Sequence, residues 1–234
     1  MTSQASRIEA NTPRVPSYLS DTYWWAYVHP RAVRLFERQW LVNLILWGNF
    51  ARLRDAALDA LGPVLEGRTL QVACVYGNLT QRLLERIAPQ GTLDVVDILP
   101  IQLQNLHCKL PADPRVTLIH GNSSSLPRAS AGYDRALLFF LLHEQPEPVR
   151  QATIAEALRV LKPGGELVIV DYHRPSRTNP LYLPMKAILH TLEPYALDLW
   201  RKALESWLPT DARITRLDKR TMFGGLYQIL RITV

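Results

Sequence analysis

The sequence predicts an α/β domain whose core is a seven-stranded, mostly parallel β-sheet flanked by helices. From residue 68 onward, short apolar segments alternate with helical patterns at the spacing of right-handed βαβ units. The segment YDRALLFFLL at 133–142 is apolar almost throughout, as expected of a central strand that is buried on both faces. The chain has 234 residues, 47% of them hydrophobic and 21% charged, which is enough for one such domain with an added helical piece.

The region before the alternating segments predicts two smaller pieces. Residues 1–17 are polar and carry two prolines, so we expect a flexible arm. Residues 18–62 predict an N-terminal helical lid that begins with a cluster of aromatic side chains. Further along the lid, apolar residues recur at helical spacing and form one stripe: Val33, Phe36, Trp40, Leu44 and Trp47. Gly48 and Asn49 interrupt this pattern, so both one helix and two helices are open.

The main domain is predicted over residues 63–234. Its elements follow from the alternation of strand-like and helix-like patterns. In order they are a strand at 69–76, a helix at 79–88, a strand at 91–98, a helix at 99–110, strands at 116–122 and 133–142, a helix at 146–161, a strand at 166–172, mostly helix over 181–207, and two closing strands within 212–234. The Gly224-Gly225 pair joins the closing strands.

The composition restricts the partners and the compartment. A formal net charge of +6 is common in soluble proteins and also favours anionic partners. Because there is no long Lys/Arg run, a lipid surface is favoured over nucleic acid. Two cysteines make no disulfide framework, and the N-terminal residues lack the apolar stretch of a secretory signal. We therefore expect a cytoplasmic protein.

Polar side chains follow each predicted parallel strand, where ligands bind in open α/β sheets. The candidates for cofactor binding are Tyr76, Gly77, Asn78, Asp97, Ile98, Asn122 and Ser123, and the next two strand ends carry His143, Glu144, Asp171, Tyr172 and His173. Asp97 offers two coplanar acceptors for the hydroxyls of a ribose, although it is also suited to cap the helix that follows. Gly77 lets a ligand approach the backbone at a helix N-terminus, or simply makes a strand-to-helix turn.

The order of elements and the segment RVLKPGGELVIVDYHRP resemble the class I S-adenosylmethionine (SAM) methyltransferases near the quinone-biosynthesis branch, which implies their Rossmann-like fold. The loop LQVACVYGNLT departs from the family's glycine-rich pattern. Gln71 stands in place of an acid, Ala73 and Val75 in place of glycines, and Tyr76 in place of a small residue. Only Gly77 is retained, and Asn122 stands where an acid contacts adenine. The added bulk predicts an altered pose for the methionine end of SAM.

The segments QVACVYGNLTQRL, FFLLHEQP and residues 17–55 resemble the RquA family of rhodoquinone-biosynthesis enzymes. The resemblance covers nearly the whole chain after about residue 17. It implies that ubiquinone is converted to rhodoquinone by exchange of a ring methoxy group for an amino group, with SAM as amino donor and Mn²⁺ in support. A ubiquinone substrate also implies a peripheral position on the inner, cytoplasmic membrane surface.

For this chemistry, His143 is the candidate general base, because its ordinary pKa lies near neutrality. Tyr76 is a second catalytic candidate, which either hydrogen-bonds a substrate oxygen or fills the space of the lost glycines. The candidate metal ligands are His143, Asp171 and His173, a mixed N/O set suited to manganese. An ordinary polar loop explains Asp171 and His173 equally well, and a helix-capping or hydrogen-bonded core histidine is the alternative for His143.

The candidate substrate and membrane contacts are Tyr23, Trp24, Tyr27 and Tyr172. Tyrosines and tryptophans suit an interface because one end of the ring system is apolar and the other polar. A helix packed on the sheet is the alternative for this region. Two further functions stay open: a conventional methyltransferase acting on a quinone or lipid, and a pseudoenzyme of the SAM fold that binds a partner.

Overall fold

The computed structural model describes residues 7–10, 13–23 and 36–234. The strands are β1 (Arg7–Ala10), β2 (Arg68–Val72), β3 (Thr92–Asp97), β4 (Val116–His120), β5 (Tyr133–Phe139), β6 (Leu161–Tyr172), β7 (Arg216–Met222) and β8 (Tyr227–Thr233). The α-helices are α1 (Ser17–Thr22), α2 (Gln39–Ile45), α3 (Phe50–Leu61), α4 (Leu79–Arg86), α5 (Pro100–Lys109), α6 (Glu147–Arg159), α7 (Tyr182–Leu192) and α8 (Asp198–Arg201). Two 3₁₀ turns lie at Leu142–Glu144 and Leu204–Trp207.

The strands form one sheet in the order β1-β4-β3-β2-β5-β6-β8-β7. All neighbours are parallel except β6 with β8 and β7 with β8. The predicted seven-stranded, mostly parallel sheet is therefore confirmed, with β1 as an added edge strand. Because β1 comes from the predicted flexible arm, the arm prediction is wrong for residues 7–10, where backbone pairing with β4 holds the chain.

Helices cover both faces of the sheet, and the central strands are buried. In β5, Ala136, Leu137 and Leu138 are fully buried, as the continuous apolar run predicts. Helix α3 contributes Leu53 and helix α6 contributes Ile154 to the same core. This packing fixes the carboxyl ends of β2 to β6 at one edge of the sheet.

The first strand of the main domain ends at Val72, four residues before the predicted end. The reason is local, because Ala73 adopts a positive φ of 72° that breaks the extended conformation. The buried Gln71 side chain donates a hydrogen bond to the Ala73 carbonyl at 2.9 Å and stabilises the bend. Residues 73–78 therefore form a loop at the end of the sheet, and Gly77, with a φ of 82°, completes it.

In the described part of the lid beyond residue 36, α2 and α3 are separate helices divided at residues 46–49, as one of the two alternatives predicts. Of the predicted apolar stripe, Val33 lies outside the described residues and Phe36 packs inward against Tyr76, while the other three residues point away from the core. Trp40, Leu44 and Trp47 are 59%, 65% and 40% exposed, while Val42 and Leu46 from the same segment are buried. Among the described residues, no helix is long and apolar enough to cross a bilayer.

Candidate functional site

A cavity of about 450 Å³ opens at the carboxyl ends of the parallel strands. Its floor is formed by the loop after β2 and by the ends of β3, β4, β5 and β6, and its walls come from α1, α2 and α7. The predicted site residues that line it are Tyr76, Asp97, Ile98, Asn122, Ser123, His143, Glu144 and Tyr172. A volume of this size accommodates part of a nucleoside-containing ligand or an aromatic ring system.

The Tyr76 side chain fills part of the space beside the loop at residues 73–78. Its ring stacks on Phe36 with centroids 5.9 Å apart, and its hydroxyl accepts a hydrogen bond from Gln102 Nε2 at 2.8 Å. Burial raises the pKa of the Tyr76 hydroxyl well above its ordinary value. The Tyr76 hydroxyl is therefore neutral, and the contacts with Phe36 and Gln102 fix the side chain in the cavity wall.

The backbone of the loop already binds a carboxylate. The Gly77 amide donates to Glu37 Oε1 at 3.1 Å, and Asn105 donates to Glu37 Oε2 at 2.7 Å. Lys109 Nζ lies 2.7 Å from Glu37 Oε1 and donates to the Gly77 carbonyl at 3.0 Å. Asn78 accepts a hydrogen bond from Arg54 at 2.7 Å. Gly77 and Asn78 thus lie behind the cavity wall, where their role is to fix the loop.

Asp97 is held by two backbone hydrogen bonds at the end of β3, although it is not the N-cap residue of α5. Its Oδ2 accepts a hydrogen bond from the Cys74 amide at 2.7 Å, and its Oδ1 accepts one from the Leu99 amide at 2.8 Å, just before α5. Burial raises the pKa of Asp97 to about 6, against the two backbone hydrogen bonds. Asp97 lines the cavity, and each carboxylate oxygen can accept more than one hydrogen bond, so its role in ribose binding stays a prediction.

The next strand end also presents polar atoms to the cavity. Asn122 Oδ1 accepts hydrogen bonds from the amide and hydroxyl of Ser124, at 3.0 and 2.9 Å. Ser123 Oγ accepts a hydrogen bond from Gln145 Nε2 at 3.0 Å and lies 3.0 Å from the Thr153 hydroxyl. The sequence did not single out Gln145, which is fully buried and joins the ends of β4 and β5.

His143 forms a buried pair with Asp171. The His143 Nδ1 and Asp171 Oδ1 atoms are 2.9 Å apart, and Glu144 Oε1 lies 3.8 Å from His143 Nε2. Burial lowers the pKa of His143, but the Asp171 charge and hydrogen bond and the nearby glutamates outweigh it and raise the pKa to about 9. The raised pKa favours the protonated imidazole at neutral pH. His143 is therefore suited to donate a proton or hydrogen bond, rather than to act as the predicted general base.

The predicted metal ligands do not converge. Asp171 is fully buried, and its oxygens accept hydrogen bonds from the amides of Leu142 and Tyr172 as well as from the His143 ring. His173 Nδ1 donates to the Gly225 carbonyl at 2.7 Å. Within the described ranges, no three His, Cys, Asp or Glu side chains form a group that fits a metal. The donor set thus does not fit Mn²⁺, and this prediction is wrong for His143, Asp171 and His173.

The aromatic candidates separate into three cases. The Tyr172 ring lines the cavity and meets the His143 ring edge to face, with centroids 4.9 Å apart. Tyr23 is fully buried beneath the cavity wall, so the structure does not present it to a substrate. Trp24 and Tyr27 lie outside the described residues. Glu193, which the sequence did not single out, lines the cavity from the end of α7.

The opening of the cavity is apolar. Ile45 of α2 and Ile188 and Leu192 of α7 line the cavity and are each at least 40% exposed, so they form its rim. Four further exposed apolar side chains lie on or next to the same two helices: Trp40, Leu44, Trp47 and Leu183. The Trp47 indole N–H points at the Met185 sulfur at 2.9 Å and joins the two helices. We call the seven exposed side chains the apolar rim.

Comparisons with known proteins agree with this architecture. Residues 69–165 match the model of the methyltransferase domain family. The chain is 33% identical over 150 residues to the ubiquinone/menaquinone biosynthesis C-methyltransferase UbiE of Syntrophotalea carbinolica, covering 63% of this chain and 61% of that protein. It is 34% identical over 134 residues to a demethylmenaquinone methyltransferase of Renibacterium salmoninarum, covering 57% of this chain and 53% of that protein. The chain thus spans under two thirds of these relatives.

Two further matches extend over more of the chain. An uncharacterized methyltransferase of Synechocystis is 29% identical over 88% of this chain and 93% of its own length. The crystal structure of the N-methyltransferase NodS from Bradyrhizobium japonicum with S-adenosyl-L-homocysteine has a TM-score of 0.56 at 14% identity, over 78% of this chain and 86% of that one. The likeness to NodS concerns the fold alone. Residues 69–165 thus match the methyltransferase domain family, and the chain is similar in sequence to quinone methyltransferases of the UbiE type.

Proposed function

We propose that this protein uses SAM to replace a ring methoxy group of ubiquinone by an amino group, which gives rhodoquinone. The observation that carries the proposal is the buried His143 imidazole, whose Nδ1 lies 2.9 Å from Asp171 Oδ1 just after the central strand β5. A quinone ring that is attacked by a nitrogen nucleophile transfers negative charge to a carbonyl oxygen. A cation held by Asp171 in an apolar cavity stabilises that charge strongly, because little water competes with it.

The surroundings of His143 fit a quinone ring. Phe140 and Tyr172 meet the His143 ring edge to face, with centroids 5.9 and 4.9 Å away. Phe140 has a positive φ of 52°, which a bulky residue adopts at a cost in free energy. A flat aromatic ring packs well between such side chains. The rebuilt loop, in which Tyr76 is packed against Phe36, supports an altered SAM pose and therefore a reaction other than direct methyl transfer.

Manganese enters this proposal only through the family resemblance. The carboxylate and imidazole groups near the cavity are engaged with backbone amides, with a backbone carbonyl and with one another, as described above. No step of the proposed reaction is assigned to a metal ion. Turnover measured with and without added Mn²⁺ tests this separately from the amino transfer.

The deciding experiment is incubation of the purified protein with ubiquinone and with SAM that carries ¹⁵N in its α-amino group. Mass spectrometry of the extracted quinones then measures the product. A ¹⁵N-labelled aminoquinone is expected, with loss of the elements of one methoxy group. Unlabelled product or no product would refute SAM as the nitrogen donor. Calorimetry with SAM would then separate the remaining functions, because SAM binding is expected of an enzyme with another substrate and not of a partner-binding pseudoenzyme.

A conventional quinone methyltransferase is the second candidate function. It is favoured by the homology to enzymes named for ubiquinone, menaquinone and demethylmenaquinone chemistry. The same assay separates the two functions, because the methyltransferase reading predicts a product that gains a methyl group from SAM and keeps its methoxy groups. SAM labelled in its methyl group identifies that product directly.

We also propose that the apolar rim rests on an anionic bilayer surface and admits the quinone from it. The rim is continuous with the cavity, and cationic side chains flank it, since Arg38, Arg52 and Lys186 are exposed on or beside α2, α3 and α7. Apolar side chains next to cations are the pattern of interfacial helices. The chain's net charge of +6 is positive, as attraction to an anionic bilayer surface requires.

Vesicle flotation tests the membrane proposal. We expect binding to vesicles that contain anionic lipid and weaker binding to zwitterionic vesicles or at high salt. The double variant Trp40→Glu/Leu44→Glu should lose binding. The matched control is Val64→Glu/Leu217→Glu, which places the same two charges on exposed apolar residues that are not part of the rim. Equal flotation of both variants would contradict the placement of the membrane surface at the rim.

A further inference from the structure

We propose that the carboxylate of Glu37 occupies the subsite for the α-carboxylate of SAM, so that the chain competes with its own cofactor. The subsite consists of three donors, the Gly77 amide, Asn105 Nδ2 and Lys109 Nζ, which we call the donor cluster. The inference rests on the use of SAM in the proposed function. It is independent of whether SAM gives its nitrogen or its methyl group.

The donor cluster is suited to bind a carboxylate. Glu37 Oε1 accepts hydrogen bonds from the Gly77 amide at 3.1 Å and from Lys109 Nζ at 2.7 Å. Glu37 Oε2 accepts one from Asn105 Nδ2 at 2.7 Å. Asn105 and Lys109 are four residues apart on α5 and therefore lie on one face of that helix. Each carboxylate oxygen thus meets a donor, and one of the donors is a cation.

The donor cluster lies on the same loop as the predicted ribose contact. Asp97 accepts a hydrogen bond from the Cys74 amide at 2.7 Å, and Gly77 follows Cys74 by three residues. Gly77 also precedes α4, whose N-terminal end favours an anion. A cofactor whose ribose binds at Asp97 can therefore extend its amino acid end along the loop toward the cluster.

The charges around the cluster also act on the cavity. Cys74 lines the cavity, and burial followed by the Asp97 charge raises the pKa of its thiol. Weaker effects on the same pKa come from Lys109, which lowers it, and from Glu37, which raises it. Both charged groups are therefore close to the cavity wall. A ligand carboxylate that replaces Glu37 keeps the charge balance beside Lys109.

Glu37 lies in a segment that can leave the cluster. It precedes α2, and the side chains of Glu37 and Lys109 are 21% and 16% exposed, so their ion pair is open to solvent on one side. The preceding residue, Phe36, lines the cavity and stacks on Tyr76. Displacement of Phe36 and Glu37 together therefore frees the three donors and removes part of the cavity wall beside them.

Occupancy of the cluster by Glu37 lowers the apparent affinity for SAM. The ligand carboxylate binds only when Glu37 has left, so the affinity is reduced by the fraction of molecules in which the cluster is free. Loss of a charge-assisted hydrogen bond changes an equilibrium by about tenfold or more. Removal of the Glu37 carboxylate should therefore increase the affinity for ligands that carry a carboxylate.

Attraction of the SAM ammonium group to Glu37 is the opposing account. SAM carries this ammonium next to its carboxylate, and a free glutamate would bind it. In the structure, however, Glu37 already pairs with Lys109 at 2.7 Å, and a second cation at the same place would be repelled by the first. The two accounts predict opposite changes in affinity when Glu37 is removed.

Calorimetry with two ligands tests the inference. S-adenosyl-L-homocysteine has the amino acid end and no sulfonium, whereas 5′-methylthioadenosine lacks the amino acid end. We expect Glu37→Ala to bind S-adenosyl-L-homocysteine about tenfold or more tightly than wild type, with unchanged affinity for 5′-methylthioadenosine. Adding Lys109→Met to Glu37→Ala should reverse this gain and again leave 5′-methylthioadenosine unaffected. The control Glu85→Ala removes an exposed carboxylate that pairs with Arg82 on α4, and it should change neither affinity.

The outcomes separate the inference from the function on which it rests. Equal affinity of wild type and Glu37→Ala for S-adenosyl-L-homocysteine overturns the inference, and so does a gain of equal size for both ligands, since Glu37 would then only fix the lid. Weaker binding of S-adenosyl-L-homocysteine by Glu37→Ala overturns it in favour of the ammonium account. Binding of neither ligand by wild type or by Glu37→Ala overturns the use of SAM as well. The expected changes without aminoquinone formation by wild type would overturn the amino transfer alone.

Discussion

Replacement of His143 by glutamine should remove a large, pH-dependent contribution to the stability of the fold. In the native protein, Asp171 raises the pKa of this buried imidazole from 6.5 to about 9. Each tenfold change in proton affinity is worth about 1.4 kcal/mol, so the pair contributes about 3 kcal/mol. The side chain is buried, and solvent screening therefore reduces this figure little.

The sign of the effect follows from the raised pKa. A histidine whose pKa is higher in the folded state stabilises the protein fully below its unfolded pKa of about 6.5. The stabilisation is lost as the pH rises through about 9, the folded value. The free energy of unfolding of the wild-type protein minus that of His143→Gln should therefore fall by about 3 kcal/mol between pH 6 and pH 9.5.

Urea denaturation followed by circular dichroism across this pH range measures the difference. Subtraction of the variant cancels other groups that titrate in the same window, including the Cys74 thiol, whose pKa burial raises. The control His190→Gln removes an exposed histidine from α7 and should keep the wild-type pH dependence. A difference between wild type and His143→Gln that stays constant with pH would refute the buried ion pair, and with it the role of His143 as a cation.

Three further substitutions test the site. Asp97→Ala should weaken SAM binding about tenfold or more, because charge-assisted hydrogen bonds to the ribose are lost, and unchanged calorimetric affinity would remove Asp97 from that role. Glu37→Ala should strengthen SAM binding by freeing the Gly77 amide for the cofactor's carboxylate, and weaker binding would contradict this. Arg150→Met should lower the free energy of unfolding in urea by about 3 kcal/mol or more, since three buried backbone carbonyls lose their donor, whereas a change under about 1 kcal/mol would contradict that account.

The alternation of patterns was sufficient to predict the sheet and one half of the cavity. Strand ends are fixed once the apolar segments are located, and parallel strands place those ends at one edge. Asp97, Asn122, His143 and Tyr172 were therefore found from the sequence, and all four line the cavity. The early end of β2 was not predictable, because it depends on the positive φ of Ala73, a residue that rarely adopts that conformation.

The other half of the cavity depends on elements outside this alternation. Glu193 and Glu37 reach the site because α7 and the segment before α2 fold across the sheet, and no local pattern specifies such long-range placement. The metal prediction failed for a related reason. The three residues Asp171, Tyr172 and His173 look like a ligand source in sequence, but the backbone amides that satisfy Asp171 are visible only in the fold.

The orientation of α2 shows a different limit of periodicity. The helix segment and its end are apolar on nearly every side, so a repeat of three and four residues fits more than one face. The sequence therefore could not decide that Val42 and Leu46 pack inward while Trp40 and Leu44 face solvent. Two adjacent apolar faces on one helix are expected where the helix packs on a domain and also contacts a second apolar phase.

The charges of the cavity give a reason why one site suits both proposed substrates. Asp97, Glu144 and Glu193 bring carboxylates to its wall, and His143 brings one cation. The sulfonium of SAM is positive, so carboxylates stabilise it where the low dielectric of the interior strengthens the attraction. In the proposed reaction, an uncharged quinone enters past the apolar rim and acquires negative charge only in the transition state. His143 at the strand end would then stabilise the charge that develops there, while the acids would stabilise the charge that SAM already carries.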